Sequence, residues 1–596
     1  MPLPGVVPFP PDFAKRYRDK GYWRDVSLRE EFAPIFGQYA GKVAIIDRDT
    51  QLTYADIDRL STNLALNLIA LGMKPLDRVV LALPNVWQFV VLYFALQKAS
   101  AIPIAALATH RYNEIGQFVK LSEAVMCAYP ERQSDFAFGP MIRRVQAESP
   151  CLKLMVVLGK AGAGELSLDA LIEQQARLPA SALAQIRIDP TDPCIFQLSG
   201  GTTGVPKLIP RTHNDYAYNS KTAAKVCGVT GDSTCLIMLP IAHNLPLACP
   251  GIQGFMFNGG KLVLSQSTRP EEVFPLIEKH KVTHIKVVPA LLIRLVNSEL
   301  VTRHDTASVR YIQSGGQRLQ PETRARTKAV IPSAFVQENF GMSEGLLLFA
   351  KIDDPQDVRM ETVGFPVSPD DEVRIVDDDG NIVPFGEVGE MCCRGPYTLR
   401  GYYGAPEHNA KVFTPDGFYC SGDLMRQHPS GAYLVEGRKK DLINRGGEKI
   451  SAEEIENLIL MHPAVQNVAC VAMPDPTLGE RMCACIIPRA GQTIALRELV
   501  DFLAGKEIAK FKLPERVELM RDFPLSTFGK VSKKSLVEMV SKKLAQERAE
   551  REQHERRRRR EEEAEADRVR AKQQQEAAEA AAREERAKQF DELFGA

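Results

Sequence analysis

From about residue 43 to about residue 435, short apolar runs alternate with longer segments of helical period. Arg78-Val-Val-Leu-Ala-Leu83, Lys153-Leu-Met-Val-Val-Leu158, Cys194-Ile-Phe-Gln-Leu198 and Lys261-Leu-Val-Leu264 read as strands. Strands separated by helices form parallel sheets covered by those helices, so this region is expected to be α/β. The most apolar stretch, 89–108, is broken by Gln97, Lys98 and Ser100. It predicts a buried helix followed by a buried strand, not a membrane span. Further on, Val373-Arg-Ile-Val376 and Glu390-Met-Cys-Cys393 flank the turn Asp-Asp-Asp-Gly380, the mark of a smaller β-rich subdomain.

The pattern changes near Gly437-Arg438-Lys439-Lys440-Asp441. Residues 1–437 are therefore expected to form a large N-terminal unit, with the Pro- and aromatic-rich first 40 residues wrapped over its surface. Residues 438–540 read as a small α/β domain: a helix over 451–462, strands over 465–472 and 482–488, and a helix over 494–505. Ser451 and Glu454 have the spacing of a capping box for the first of these helices. The remainder, 541–596, is rich in Glu, Arg, Ala and Gln, with the basic run 556–560 followed by the acidic run 561–563. Helix propensity and i,i+4 charge pairs favour a solvated helix, but no apolar heptad runs through it, so a charged helical or disordered tail is expected. Phe590, Leu593 and Phe594 add a small apolar patch at its end.

Length alone corresponds to about three to five domain-sized units. Hydrophobic content of 44% and charged content of 25% are those of a soluble globular chain. The 75 basic and 75 acidic residues cancel, so no overall field draws nucleic acid or an acidic partner. The N-terminus lacks the basic start of a signal peptide, and with no membrane signal the expectation is a cytoplasmic protein. The twelve cysteines are scattered without a second ligand pair at metal-binding spacing, and read as buried free thiols. Cys483 and Cys485 alternate along a strand and would share one face.

The segment Ser199-Gly-Gly-Thr-Thr-Gly-Val-Pro-Lys207 directly follows an apolar strand. Gly200, Gly201 and Gly204 let a backbone turn tightly and bring N–H groups against phosphate oxygens; Thr202 and Thr203 add hydroxyls and Lys207 a positive charge. The spacing is not that of a Walker loop. By itself the segment is either a phosphate cradle or an ordinary flexible connection.

Several later segments stand in a telling order: Asn339-Phe-Gly-Met-Ser-Glu344, Gly389-Glu-Met-Cys-Cys-Arg-Gly395 with Arg400-Gly-Tyr-Tyr403, Tyr419-Cys-Ser-Gly-Asp423, Gly437-Arg-Lys-Lys-Asp441 with Gly446-Gly447, and Pro524-Leu-Ser-Thr-Phe-Gly-Lys530. With the loop at 199–207, these resemble the adenylate-forming superfamily of acyl-CoA synthetases, luciferases and nonribosomal-peptide adenylation domains, over about residues 30–540. The resemblance implies a large N-terminal domain of two helix-covered sheets plus a β-rich subdomain, followed by a small mobile α/β C-terminal domain. It implies ATP as substrate and Mg²⁺ as cofactor. A carboxylate oxygen attacks the α-phosphorus, pyrophosphate leaves, and the charge that builds on phosphorus calls for cations and N–H donors.

By that resemblance Lys530 supplies the decisive cation, Glu344 holds Mg²⁺ through hard oxygen ligation, and Ser343 lies near the α-phosphate. Asp423 accepts hydrogen bonds from the ribose hydroxyls, backed by Arg438. Gly315, Gly316, Gln317, Asn339, Phe340 and Gly341 wall the adenine. Lys440 is the pivot about which the C-terminal domain turns between half-reactions, withdrawing Lys530 and bringing Gly446 and Gly447 to line a thiol tunnel, with Lys449 facing the pantetheine phosphate.

Leu239-Pro-Ile-Ala-His243-Asn244-Leu-Pro-Leu-Ala-Cys249-Pro-Gly251, with His110-Arg111 and the segment 197–215, resembles the aryl-acid-activating branch, the ligases for 2,3-dihydroxybenzoate and salicylate. Amino-acid-activating domains place an Asp where Asn244 stands, to pair with an ammonium; Asn244 suits an acid without one, beside His243. Cys249 stands for the serine, and Leu347 for the valine, of dihydroxybenzoate enzymes. Cys is a poor donor and Leu is bulkier, so an acid without a 3-hydroxyl is favoured. Leu245 replaces an expected aromatic residue and loosens the pocket. No Gly-Gly-x-Ser carrier motif is present. The implied acceptor is thus the phosphopantetheine of a separate aryl-carrier protein, or coenzyme A. The other class of reading is a non-catalytic interaction protein using its charged tail.

Overall fold

The apolar runs become the central strands of two large sheets. The structure, a computed structural model, describes residues 3–199, 207–316, 319, 321–446, 448–506, 508–525 and 530–595. In the first sheet six strands run parallel, Phe335–Met342, Tyr311–Gly315, His284–Val287, Thr234–Ile237, Lys261–Leu264 and Val43–Asp47. Antiparallel strands flank them: Gly345–Phe349 and Phe365–Pro366 on one side, Thr50–Thr53 on the other. The second sheet orders Leu208–Thr212, Pro193–Leu198, Ile102–Ala105, Arg78–Leu81, Met126–Pro130, Leu154–Leu158 and Leu166–Ser167, antiparallel only at its first strand. Parallel pairing thus holds at the centres of both sheets and at the Leu166–Ser167 edge, while the other edges are antiparallel; at Thr50–Thr53 and Gly345–Phe349 a short hairpin leaves no room for a crossover helix.

The largest apolar cluster lies between these sheets and includes the helices Tyr54–Ala70 and Trp87–Lys98, whose residues 89–98 are all buried. The stretch 89–108 is therefore a buried helix and the strand Ile102–Ala105, and among the described residues no helix is long and apolar enough to cross a membrane. The first 40 residues strap the unit together. Arg16 and Lys20 pair with Asp370, the Trp23 indole donates to Pro396 O at 2.9 Å, and Leu28 N donates to His213 Nδ1 at 3.1 Å.

A four-stranded antiparallel sheet follows: Glu372–Val376, Gly389–Arg394, Tyr419–Gln427 and Tyr433–Arg438. A last sheet contains Leu442–Arg445, Glu448–Ser451, Val465–Asp475, Gly479–Pro488 and Arg516–Leu519, covered by Ala452–Ile459 and Leu496–Ala504. Its alternation puts Met482, Ala484 and Ile486 in one cluster and Cys483 and Cys485 in another, so the two thiols do share a face. The capping box forms by half. Ser451 Oγ accepts from Glu454 N, but the Glu454 carboxylate is held by Lys512 at 2.7 Å and does not reach back.

The tail is helical, and the expected division at 540 falls inside one continuous helix, Lys533–Phe594. Leu536 and Val540 bury its first turns against Cys483, Cys485 and Phe523, and Arg516 grips Glu547 through two bonds of 2.7 and 2.9 Å. Beyond that, i,i+4 pairs such as Arg548–Glu552, Arg557–Glu561 and Arg558–Glu562 accompany an exposed helix.

Candidate active site

The chemistry-bearing segments converge where strands of the two large sheets meet the four-stranded sheet and the C-terminal residues. Ser199 and Lys207 close the base of the glycine-rich loop: Ser199 N donates to Lys207 O at 3.0 Å, and Lys207 N donates to Ser199 Oγ at 2.9 Å. The loop itself, with Gly200, Gly201, Thr202, Thr203 and Gly204, lies outside the described residues, as do Gln317 and Gly447, and nothing is described of the Lys449 side chain.

Parallel pairing brings Gly315 beside Asn339. Asn339 Nδ2 donates to Ser314 O at 3.1 Å, which ties the two strand ends together. Gly316 follows with φ +92°, in the left-handed region that favours glycine, and a Cβ there would lie 2.8 Å from Lys530 Cε. Phe340 packs on the cluster that includes Leu346, Leu348 and Tyr402, and Gly341 is closed over by Leu347, whose Cδ2 would be 2.8 Å from any Cβ.

Glu344 is half-buried, and Tyr402 OH donates to its Oε1 at 2.7 Å, with Tyr419 OH 2.9 Å behind Tyr402. Burial pushes the Glu344 carboxyl up, opposed by the Tyr402 hydrogen bond and the Arg438 charge. Asp423, 4% exposed, is paired across two strands with Arg438, whose Nε donates to Oδ1 at 2.9 Å. Lys530 reaches the same place. Burial lowers its pKa to about 8, helped by the positive charges of Arg438 and Lys440 and opposed by Asp423 and Glu344. An ammonium held among two cations and two carboxylates is a poised charge for a polyphosphate.

The second half of the site lies between the helices His213–Val226 and Asn244–Ala248. His243 is the N-cap residue of the latter, and burial, with Lys530 and His110 nearby, lowers its pKa to about 3, so the ring is neutral near pH 7. Asn244 is buried. Tyr216 OH donates to its Oδ1 at 2.9 Å, and Gln197 Nε2 donates to Tyr216 OH at 3.1 Å. That orientation leaves the Asn244 NH₂ as the end without a recorded protein partner among the described residues. Leu245 is half-buried against the main core, while Cys249 and Leu347 are fully buried within it. Asn219 Nδ2 donates to Ala248 O at 2.9 Å and to Cys249 Sγ at 3.4 Å. The ion pair Arg211–Asp215 lies beneath this wall with both side chains at most 3% exposed, and Arg211 also donates to Ser343 O at 3.1 Å, linking the acid side to the nucleotide side.

At the junction, Lys440 sits in the short 3₁₀ turn Lys439–Asp441. Lys439 pairs with Glu390 and Asp378, and Ser451 Oγ donates to Glu436 O at 2.6 Å. Gly446 stands at the turn between Leu442–Arg445 and Glu448–Ser451, its N–H bonded to Leu478 O at 2.8 Å, so this contact stays within the last sheet.

The profile of the AMP-binding enzyme family matches residues 33–403, and that of its C-terminal domain matches residues 454–530. The chain belongs to the AMP-binding enzyme family. It is 44% identical to a salicylyl-CoA synthase / salicylate adenylyltransferase of Streptomyces, over 91% of this chain and 98% of that protein. It is 42% identical to 2,3-dihydroxybenzoate-AMP ligase of Bacillus subtilis, over 91% and 99% respectively. Among solved structures it resembles apo MbtA of Mycobacterium smegmatis, with TM-score 0.69 and 40% identity over 90% of this chain and 98% of that one.

Within this AMP-binding enzyme, sequence reasoning passed over the residues that hold others in place: Gln197 and Tyr216 behind Asn244, Arg211 and Asn219 behind Ser343 and Cys249, and Tyr402 behind Glu344. Several lie inside the quoted motifs, but their partners are distant in sequence and only folding pairs them. It also passed over Lys286, a lysine in the middle of the apolar strand His284–Val287 and 1% exposed. A charge at such a position is the signal that was available.

Proposed function

We propose that this adenylating ligase activates an aryl carboxylic acid as its aryl-adenylate, with release of pyrophosphate, and passes the aryl group to a thiol. The carboxylate oxygen attacks the α-phosphorus of ATP; the new C–O–P bond forms as the bond to pyrophosphate breaks. Lys530 offsets charge on the carboxylate and the phosphate. Asp423, with Oδ1 taken by Arg438, keeps Oδ2 for the ribose hydroxyls. Gly315, Gly316, Asn339, Phe340 and Gly341, with Gln317 by its motif alone, are assigned to the base, while Ser343 and Lys207, with the 199–204 loop by its sequence, are assigned to the phosphates. Mg²⁺, when bound, neutralises polyphosphate charge. Glu344 is the residue that would hold it, through a hard carboxylate oxygen; among the described residues no group of three His, Cys, Asp or Glu forms a metal cage.

Asn244 faces the acid with its amide donors, His243 adds a neutral ring, and Leu245, Cys249 and Leu347 bound the aromatic ring. The acceptor is the phosphopantetheine thiol of an aryl-carrier protein acting in trans, as in siderophore or nonribosomal peptide assembly. The chain turns about Lys440 to expose the adenylate along Gly446, Gly447 and Lys449. Coenzyme A is the second reading, favoured by the similarity to the salicylyl-CoA synthase of Streptomyces. A cytoplasmic setting goes with twelve free cysteines.

The support for this reading is the meeting of Lys530, Gly316, Arg438, Asp423 and Glu344 beside a pocket whose Asn244 carries no charge for an ammonium to pair with. ATP–pyrophosphate exchange over a panel of aryl acids tests it. Exchange dependent on salicylate or a related acid is expected, and no exchange with any of them overturns it. Product analysis with holo-carrier protein and with coenzyme A then separates the two acceptors.

A further inference from the structure

The parallel register sets Lys286 beside Gln313 and Gln313 beside Gln337, three polar side chains in adjacent strands, each no more than 1% exposed. Central positions of parallel sheets are normally Val, Ile or Leu. Here they form a polar row. Lys286 Nζ donates to Gln313 Oε1, Gln313 Nε2 donates to Gln337 Oε1 at 3.1 Å, and Gln337 Nε2 donates to Ala350 O at 2.9 Å. At the other end Lys286 Nζ donates to the carbonyl of Cys249 at 3.3 Å.

Cys249 ends the pocket helix Asn244–Ala248 as its C-cap residue. The row therefore terminates directly behind the wall assigned to the ring of the acid. Its last member is a lysine, 1% exposed. Among the described residues Lys286 makes no ion pair: it donates to a carbonyl and an amide oxygen, and the ionisable groups that act on it are neutral thiols, Cys227, Cys235 and Cys249, with the His284 ring also nearby. The one buried carboxylate on this wall, Asp215, is already held by Arg211. A buried ammonium loses its hydration, and without a counter-charge nothing offsets that loss. Burial depresses the pKa of Lys286 accordingly. Two acceptors use two of its three N–H donors and bring no negative charge.

We propose that Lys286 is a specificity-determining residue whose remaining donor takes an anionic substituent on the acid, a second carboxylate on the ring edge beside Cys249. This rests on the aryl-acid reading of the pocket and narrows it. The Cys249 side chain offers a ring substituent little, whereas the ammonium behind its carbonyl offers charge. The preferred class is thus an aryl acid with a second acidic group away from the reacting carboxylate.

The test is pyrophosphate exchange with the full chain, comparing benzoate and salicylate with the same acids carrying a second carboxylate at ring position 3 or 4. The wild-type protein is expected to use at least one of the dicarboxylates better than its parent acid. Lys286→Met, close in length and uncharged, is expected to lower the dicarboxylate-to-parent ratio of kcat/KM by about tenfold or more, the loss appearing in KM, with Lys286→Arg recovering part of it. An unchanged ratio in Lys286→Met overturns the proposal. So does a wild-type preference for every parent acid over its dicarboxylate, a measurement that needs no variant to fold. Exchange with parent acids alone overturns only this inference; absence of exchange with all acids overturns the aryl-acid reading and this inference with it.

Discussion

The tip of Lys530 rests against the backbone of Gly316, so closely that a Cβ there would approach Lys530 Cε to 2.8 Å and Nζ to 3.2 Å. Gly316 also has φ +92°, so Gly316→Ala meets strain as well as contact. That variant is expected to lower the rate of adenylation. Lys530→Ala is expected to lower it further, by about 10²- to 10³-fold, the usual cost of removing a group that stabilises developing charge. Transfer of the aryl group from supplied aryl-adenylate to the thiol is expected to survive Lys530→Ala. Equal loss of both half-reactions would count against the rotating-domain scheme.

Lys530 is the group to follow with pH. Its pKa of about 8 is set first by burial and then by the charge of Arg438. The cation is present below that value and lost above it, so kcat/KM for adenylation is expected to fall as pH rises through about 8. Replacing Arg438 by Met removes a neighbouring positive charge and should move the alkaline limb upward. A limb that stays in place, measured in exchange profiles of the two proteins, would assign it to another group.

Tyr216 holds the Asn244 amide by donating to Oδ1 at 2.9 Å. In Tyr216→Phe the amide is free to turn and present an oxygen to the acid's carboxylate. The KM for the acid is expected to rise by about 5- to 150-fold, equivalent to roughly 1–3 kcal/mol for a buried polar group left unsatisfied, while the KM for ATP stays as it was. Exchange kinetics with each substrate varied in turn report this split.

Cys249 tests the edge of the pocket. Its thiol meets only Asn219 among its recorded side-chain partners. Cys249→Ser introduces a stronger hydrogen-bonding group and is expected to raise kcat/KM for 2,3-dihydroxybenzoate relative to salicylate. If the ratio does not move, Cys249 does not face the 3-position.

Much of this was legible before folding. The alternation of apolar runs and helical segments determined helix-covered sheets, because burial on a sheet needs contiguous apolar side chains; that they number two is implied by the resemblance. The change in pattern near 437–441 marked the start of the last sheet. The glycines with a lysine suggest a phosphate cradle by their residue types, whereas Glu344, Asp423 and Lys530 are singled out only through the resemblance of their motifs. The tail's helicity followed from local propensity and from charge pairs within one chain segment. What propensity left undecided was where that helix begins; the docking of Leu536 and Val540 set its start at Lys533, ahead of the charged tail.

Only the tertiary structure decided which residues support which. The loss of Glu454 from its capping box to Lys512, the tyrosine behind Asn244 and the tyrosine behind Glu344 all join residues remote in sequence. So does the row Lys286–Gln313–Gln337, whose members are separated by a helix or more in the chain and become neighbours through parallel register. Motifs encode chemistry locally because a loop or turn carries it. Orientation and the solvation of buried charge depend on partners brought together across the fold, and those have no signature in the spacing of a single segment.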